Sequence, residues 1–443
     1  MSFDLNSLYP HLIMQYNISP ETLLPKQLNL GDNAVDDLIA QKFNIKDMFP
    51  PNVTMTPNGA LFSKDKLGFL PEMMQEYEDT KDAKYLKDVS KFQNIQMARK
   101  ISLNSAYGAI GNEWFRYFDL RIAEGITTSG QLSIRWIEKS INMYLNKLLK
   151  TDGEDYVIAS DTDSVYITFD KLVSTVLKKK EEESDDSYRG RAVDFLDSVA
   201  QQKLEPFINK SYQALASYVN AYEQKMEMGR EAIADKGIWT AKKRYILNVW
   251  DMEGVRYQSP QLKIMGIEAG KSSTPAPCRD KIKECLKIIM SGTEKDVNDF
   301  IQGFREEFMK LPAEEIAFPR SVNGLKKWSS SSGIFSKGVP MHCKGSLLYN
   351  HYTKQSKLTN KYPLIQEGDK IKFLNLRQPN RMSSNVISFI TKLPKELNIH
   401  SMIDYDLQYE KSFVEPLTFI MNQIGWNIDR SYGTQTTLED FFG

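Results

Sequence analysis

Residues 156–169 read YVIASDTDSVYITF. Two apolar, β-branched runs, 156–159 and 165–169, flank Ser160-Asp161-Thr162-Asp163-Ser164, a pattern that predicts a β-hairpin with a polar tip. The tip carries two carboxylates, Asp161 and Asp163, at i and i+2. In extended backbone, residues two apart project from one face and can approach one point. Their repulsion is costly unless a cation sits between them. A lone D-x-D is more often a solvated turn, so a metal-binding reading needs a third carboxylate in an equally apolar setting.

Asp4 supplies that third carboxylate. In Ser2-Phe3-Asp4-Leu5-Asn6-Ser7-Leu8-Tyr9-Pro10 it ends a short apolar strand. Ser7, Leu8 and Tyr9 begin a turn, and a helix from about 10 to 16 directs backbone N–H groups at an anion. Strand, carboxylate and helix start could hold a metal and a phosphate together. An aspartate capping a helix is the equal alternative.

Composition bounds the rest. A chain of 443 residues, 41% hydrophobic and 26% charged, is expected to form two or three globular domains. No apolar run approaches the roughly 20 residues that span a bilayer, and the first residues lack signal-peptide regions. Cys278, Cys285 and Cys343 form no CxxC pair and are read as reduced thiols. The four histidines give no HExxH motif. Lys+Arg and Asp+Glu number 57 each, so any nucleic-acid binding must rest on local basic patches.

Along the chain, Pro57-Asn58-Gly59 marks a second hairpin. A helix is predicted from Leu70, with Met73, Met74 and Tyr77 at helical spacing, continuing through Lys81, Lys84, Lys87 and Lys91. A second helix, about 94–109, places Lys100, Asn104 and Tyr107 on one face before Gly108, which suits phosphate and base rather than a core. Residues 121–149 form a long amphipathic helix with Ile137, Ile141, Tyr144, Leu145 and Leu148 as its core stripe. The charge block 178–186 is a solvated loop or helix end, and helical pattern resumes from 192 to about 225. In 237–250, GIWTAKKRYILNVW, the cations Lys242, Lys243 and Arg244 interrupt an aromatic strand. A polyanion is their natural neighbour, with structural salt-bridging the alternative. After Ser272-Ser273-Thr274-Pro275 the pattern is helical to about 311, and 329–333 is a flexible link. A helix near 416–426 precedes the tail. Gln435, Leu438, Phe441 and Phe442 of that tail would anchor as one helical turn in a partner's groove, or pack back on their own domain.

Together these residues resemble the family B replicative DNA polymerases, most closely those of large contractile-tailed bacteriophages. DLNSLYP (4–10) resembles the first polymerase motif, KISLNSAYG (100–108) the fingers motif and SDTDS (160–164) the catalytic hairpin. AKKRY (241–245) is similar to the primer-contacting element, KSSTP (271–275) to the thumb entry and QTTLEDFF (435–442) to a sliding-clamp docking peptide. The resemblance implies an α+β right-hand fold with an antiparallel palm sheet: palm 1–66 and 113–266, fingers 67–112, and a mostly helical thumb 267–443 whose tail, 434–443, binds a clamp. It implies that Asp4, Asp161, Asp163 and the Leu5 carbonyl hold two Mg²⁺ ions. Ser7, Leu8 and Tyr9 would bind the dNTP triphosphate, with the Tyr9 ring under the deoxyribose. Lys84, Lys100 and Asn104 would hold the triphosphate from the fingers, Lys100 also protonating pyrophosphate. Tyr107 and Gly108 would line the nascent base pair, and Lys242, Lys243, Arg244 and Tyr245 would grip primer–template DNA.

Four positions depart from the family pattern. Thr80 replaces an arginine, Ala159-Ser160 replaces Tyr-Gly, and Gly229 stands where relatives carry an acid. Nothing corresponding to an N-terminal exonuclease region precedes Asp4. The expectation is therefore a DNA-directed DNA polymerase without its own proofreading, completed by a separate N-terminal chain and acting in the cytoplasm of an infected bacterium, with no membrane partner. A non-catalytic DNA- and clamp-binding scaffold of polymerase descent is the alternative.

Overall fold

The computed structural model describes residues 1–79, 105, 107–330 and 333–430. The chain folds as two compact units, residues 1–234 with 250–259, and 235–249 with 260–443. Helices and antiparallel strands mix in both, an α+β architecture.

In the first unit the order is β1 (Ser2–Leu5), α1 (Leu8–Gln15), β2 (Leu23–Gln27), α2 (Ala34–Ile39), α3 (Ile45–Met48), β3 (Val53–Met55), β4 (Ala60–Ser63) and α4 (Phe69–Asp79). Then follow α5 (Leu120–Leu149), β5 (Val157–Asp161), β6 (Ser164–Ile167), α6 (Asp170–Val176), α7 (Asp185–Val199) and α8 (Glu205–Tyr218). Three long strands, β7 (Met228–Ala241), β8 (Arg244–Met252) and β9 (Val255–Met265), carry residues of both units.

One six-stranded sheet has the order β5-β6-β1-β7-β8-β9. Four-residue β1 is an interior strand, antiparallel to β6 on one side and to β7 on the other. The alternation of Phe3 and Leu5, both buried, with half-buried Asp4 turns one face to the core and one outward. A smaller sheet, β2-β4-β3, contains the hairpin read at 57–59. Gly59 is essential to that turn: its φ is +80° and a Cβ there would lie 1.9 Å from the Leu28 carbonyl oxygen.

The long helix α5 runs as read, capped by Asp119, whose carboxylate accepts from Arg121 N and is forked by the Arg121 guanidinium. Ile137, Ile141 and Leu145 are buried on it and Tyr144 stacks on Phe207 at 4.2 Å, whereas Leu148 is exposed, one turn beyond the stripe. The helical pattern after 192 is a helix interrupted by a π-turn at 200–204, and it stops at Tyr218, short of 225. Asn220 ends it by adopting a left-handed conformation, φ +50°, with its amide donating to the Pro51 and Val53 carbonyls.

The second unit continues with α9 (Ala276–Ser291), α10 (Glu294–Phe308), α11 (Ala313–Ile316), β10 (Phe318–Ser321), α12 (Leu325–Trp328), α13 (Met341–Gln355), β11 (Lys370–Asn375), β12 (Val386–Phe389), α14 (Tyr405–Tyr409) and α15 (Glu415–Met421). The helical pattern read to about 311 comprises two helices, separated at Gly292 and restarted by a capping box of Thr293 and Asp296. Phe304, Phe308, Tyr409 and Phe413 form the aromatic centre of its core. The three cysteines are buried and free. No described helix is long and apolar enough to cross a membrane.

Candidate active site

β1 decides the site. Asp4 lies opposite Ser164 on β6 and opposite Gly229 on β7, and Ser164 lies opposite Asp161 on β5. Residues directly opposite in an antiparallel pair share a face, so Asp161, Ser164, Asp4 and Gly229 form one row across four strands. Adjacent strands are about 4.8 Å apart, which puts the Asp161 and Asp4 backbones roughly 10 Å from each other across β6. Phe3, Val165 and Arg230 form the neighbouring row on the opposite face.

Asp163 reaches the site differently from the strand alternation expected for i and i+2. It occupies the turn: Thr162 is left-handed at φ +57° and Asp163 N donates to the Asp161 carbonyl at 2.6 Å. The Asp163 carbonyl then accepts from Leu5 N at 2.8 Å, tying the hairpin tip to the end of β1. Ser164 Oγ donates to the Asp161 carbonyl at 3.2 Å. Asp4, Asp161 and Asp163 are each half-buried. Among the described residues, no three His, Cys, Asp or Glu side chains cluster closely enough to hold a metal ion. The donors at this end of the sheet are all oxygens, a set suited to hard divalent cations.

A fourth carboxylate, Glu231, was missed in the sequence. The β1–β7 register shifts between Ser2 and Phe3, leaving Glu231 as the extra residue of a bulge. Ser2 Oγ donates to its carboxylate at 3.0 Å and accepts from Ala232 N at 3.2 Å. Ser2 shares its face with Asp4, so the bulge turns Glu231 toward the side that carries the row. A two-for-one register leaves no local sequence mark.

α1 starts at Leu8, two residues earlier than the Pro10 start read from sequence. Ser7 is its N-cap in a left-handed conformation, φ +47°, without a side-chain cap, and the first turn holds no acid. No acid within the first turn itself compensates the positive end of the helix dipole. His11 is buried and its Nδ1 lies 3.0 Å from the Ser7 carbonyl. Tyr9, half-buried, packs against Tyr107, with ring centroids 4.6 Å apart and planes tilted by 37°. Residues 107–110 are helical, and Gly108 is exposed, with no atom of the described residues beyond its chain neighbours within 4 Å of where its Cβ would be. Thr80, Lys84, Lys100 and Asn104 lie outside the described residues, as do Gln435, Leu438, Phe441 and Phe442.

The cations at 242–244 do not interrupt one strand. Lys242 and Lys243 form the tip of the β7–β8 hairpin, with Lys243 at φ +62°. The turn backs onto Gly266, where a Cβ would lie 2.1 Å from the Lys243 carbonyl oxygen. Both lysines are exposed, but Arg244 is engaged within its unit: its guanidinium forks the Glu268 carboxylate at 3.1 and 2.7 Å. Salt-bridging, the alternative reading, therefore describes Arg244. Tyr245 is buried beside Trp239.

Residues 1–180 match the family model for DNA polymerase family B. The chain is 35% identical to the DNA-directed DNA polymerase of Escherichia phage RB69, over 94% of this chain and 52% of that protein. It is 32% identical to the DNA-directed DNA polymerase of Enterobacteria phage T4, over 100% of this chain and 55% of that protein. By sequence, the chain belongs to the family B DNA polymerases. A DNA polymerase delta catalytic subunit, from Oryza sativa subsp. japonica, is 32% identical over 40% of this chain and 15% of its own length. The chain spans about half the length of the phage relatives it matches.

Proposed function

We propose that this family B polymerase chain performs template-directed DNA synthesis, adding dNTPs to a primer 3′-hydroxyl. The observation that carries the reading is β1 held between β6 and β7, which places Asp4 in one row with Asp161 and ties Asp163 to Leu5. The 1–66 and 113–266 segments would serve as palm, 67–112 as fingers and 267–443 as thumb of a right hand.

In this reading Asp4, Asp161, Asp163 and the Leu5 carbonyl would hold two Mg²⁺ ions once the carboxylates are drawn together around them. Such a pair, when bound, lowers the pKa of the attacking hydroxyl and neutralises charge on the leaving pyrophosphate. The chain's own residues supply positioning. Ser7, Leu8 and Tyr9, at the uncapped start of α1, would orient the triphosphate, and Lys84, Lys100 and Asn104 would hold it from the fingers, with Lys100 delivering a proton to pyrophosphate. The Tyr9 ring would lie under the sugar, Tyr107 and Gly108 against the new base pair. The exposed Lys242–Lys243 tip would contact primer backbone and the 434–443 tail a sliding clamp. No histidine or nucleophilic side chain is required.

Primer extension with dNTPs and Mg²⁺ tests this, on the chain alone and with a candidate N-terminal exonuclease chain. Extension that Asp163→Asn abolishes supports the proposal. Failure in both settings, with primer–template binding intact, overturns it and supports the scaffold reading.

A further inference from the structure

We propose that Gly130 positions Tyr9 and thereby sets the sugar selectivity of this chain, a proposal that rests on the reading of Tyr9 as the residue beneath the deoxyribose. Gly130 lies in the interior of the 30-residue helix α5, where glycine is a poor helix former and calls for a packing reason. Its environment supplies one. It is buried, and a Cβ at this position would stand 3.4 Å from Leu8 Cδ2, 3.6 Å from Leu12 Cδ1 and 3.8 Å from Tyr9 Cε1. The first two turns of α1 therefore rest directly on the α5 backbone at this point.

The Tyr9 ring is thus bounded on two sides. One edge meets α5 at Gly130, and the Tyr107 ring stands 4.6 Å away, centroid to centroid. A ring held only by its own rotamer could swing aside for a bulkier sugar, whereas one seated against a helix backbone keeps a fixed depth. The distances grade the expected response. An alanine methyl would sit in ordinary contact with all three neighbours. The branched methyls of valine would reach about 1.5 Å further, inside the space that Leu8, Leu12 and Tyr9 occupy. Tyr9 would then move away from α5, out of the plane in which it opposes a 2′-hydroxyl.

The test is the ratio of kcat/KM for a dNTP to that for the matching rNTP, in primer extension by the full chain with whatever partner its activity requires. Gly130→Val is expected to lower the ratio at least tenfold, roughly the discrimination that one misplaced contact commands. Gly130→Ala is expected to leave it unchanged within about twofold. An equal loss on both nucleotides, with the ratio intact, overturns the proposal and makes Gly130 a packing residue only. If Gly130→Val does not fold, Gly130→Ser carries the same test: a lowered ratio supports the proposal and an unchanged one overturns it. Tyr9→Ala, run in parallel, separates the two levels. If it leaves the ratio unchanged, the reading of Tyr9 has failed. If it collapses the ratio while the Gly130 variants do not, only the role of Gly130 has failed.

Discussion

Gly229 on β7 lies directly opposite Asp4 on β1, and among the described residues beyond its chain neighbours no atom lies within 4 Å of where its Cβ would be. A Cβ added there would stand beside Asp4 without displacing any described atom. Gly229→Asp should therefore create a like-charge pair on neighbouring strands, destabilising without a cation and stabilised by one. In thermal unfolding, the variant is expected to melt below the parent in EDTA and to gain more from Mg²⁺. Equal Mg²⁺ responses of the two proteins would show that position 229 does not share Asp4's cation.

On the opposite face, Arg230 is clamped in the interior. Its guanidinium meets Asp251 at 2.5 Å and Asp197 at 2.9 Å, while Arg256 reaches Asp251 at 3.2 Å. The Arg230 and Asp251 side chains are only 6% and 3% exposed. Arg230→Met would leave the Asp251 carboxylate with Arg256 as its remaining ion-pair partner. A loss on the order of 3 kcal/mol is expected in urea unfolding. Met at 230 combined with Asn at 251 should recover part of it.

The β7–β8 turn depends on Gly266. Its φ of +66° is left-handed, and the Lys243 carbonyl occupies the place of a side chain. Gly266→Ala should cost on the order of 2 kcal/mol. It should also weaken primer–template binding by shifting Lys242 and Lys243, with a shallower salt dependence. The Mg²⁺-linked rise in melting temperature should be unaffected.

A pH effect is expected at Glu183. The Arg191 guanidinium forks its carboxylate at 2.7 and 2.6 Å and holds the carboxyl down to about 2. A carboxyl whose folded pKa is depressed contributes stability above its ordinary value, near 4.5, and loses it as pH falls toward 2. Glu183→Gln should thus narrow the drop in melting temperature between pH 5 and about pH 3. Parallel melting curves for parent and variant would count against the fork.

The hairpin at 157–167 was legible because every signal it needs is local: β-branched flanks and a five-residue polar tip. The strand bearing Asp4 was legible for the same reason, while the helix after it starts two residues before the position read. The β7–β8 hairpin was not, since its turn is Lys-Lys with no Gly, Asn or Pro. What bends it is Gly266, more than 20 residues on, which makes room for the Lys243 carbonyl. The placement of Asp163 in a left-handed turn, and of Glu231 in a bulge against Ser2, likewise depends on pairing between distant strands. Periodicity within one segment carries no record of it. The break at Gly292 was visible in principle, as Gly-Thr followed by an acid three residues after the threonine.

β1 has no partner near it in sequence: Ser2 pairs with Tyr166 and Ala232, Phe3 with Val165 and Arg230. Contacts so distant form only after loop closure over most of the unit. During synthesis, β1 can therefore pair with β6 only once residue 166 has been made, and its β7 edge stays open until the chain past 232 has left the ribosome. The row through Asp4 is completed only when β7 arrives, and until then the open edge of β1 is where unwanted strand pairing threatens this fold.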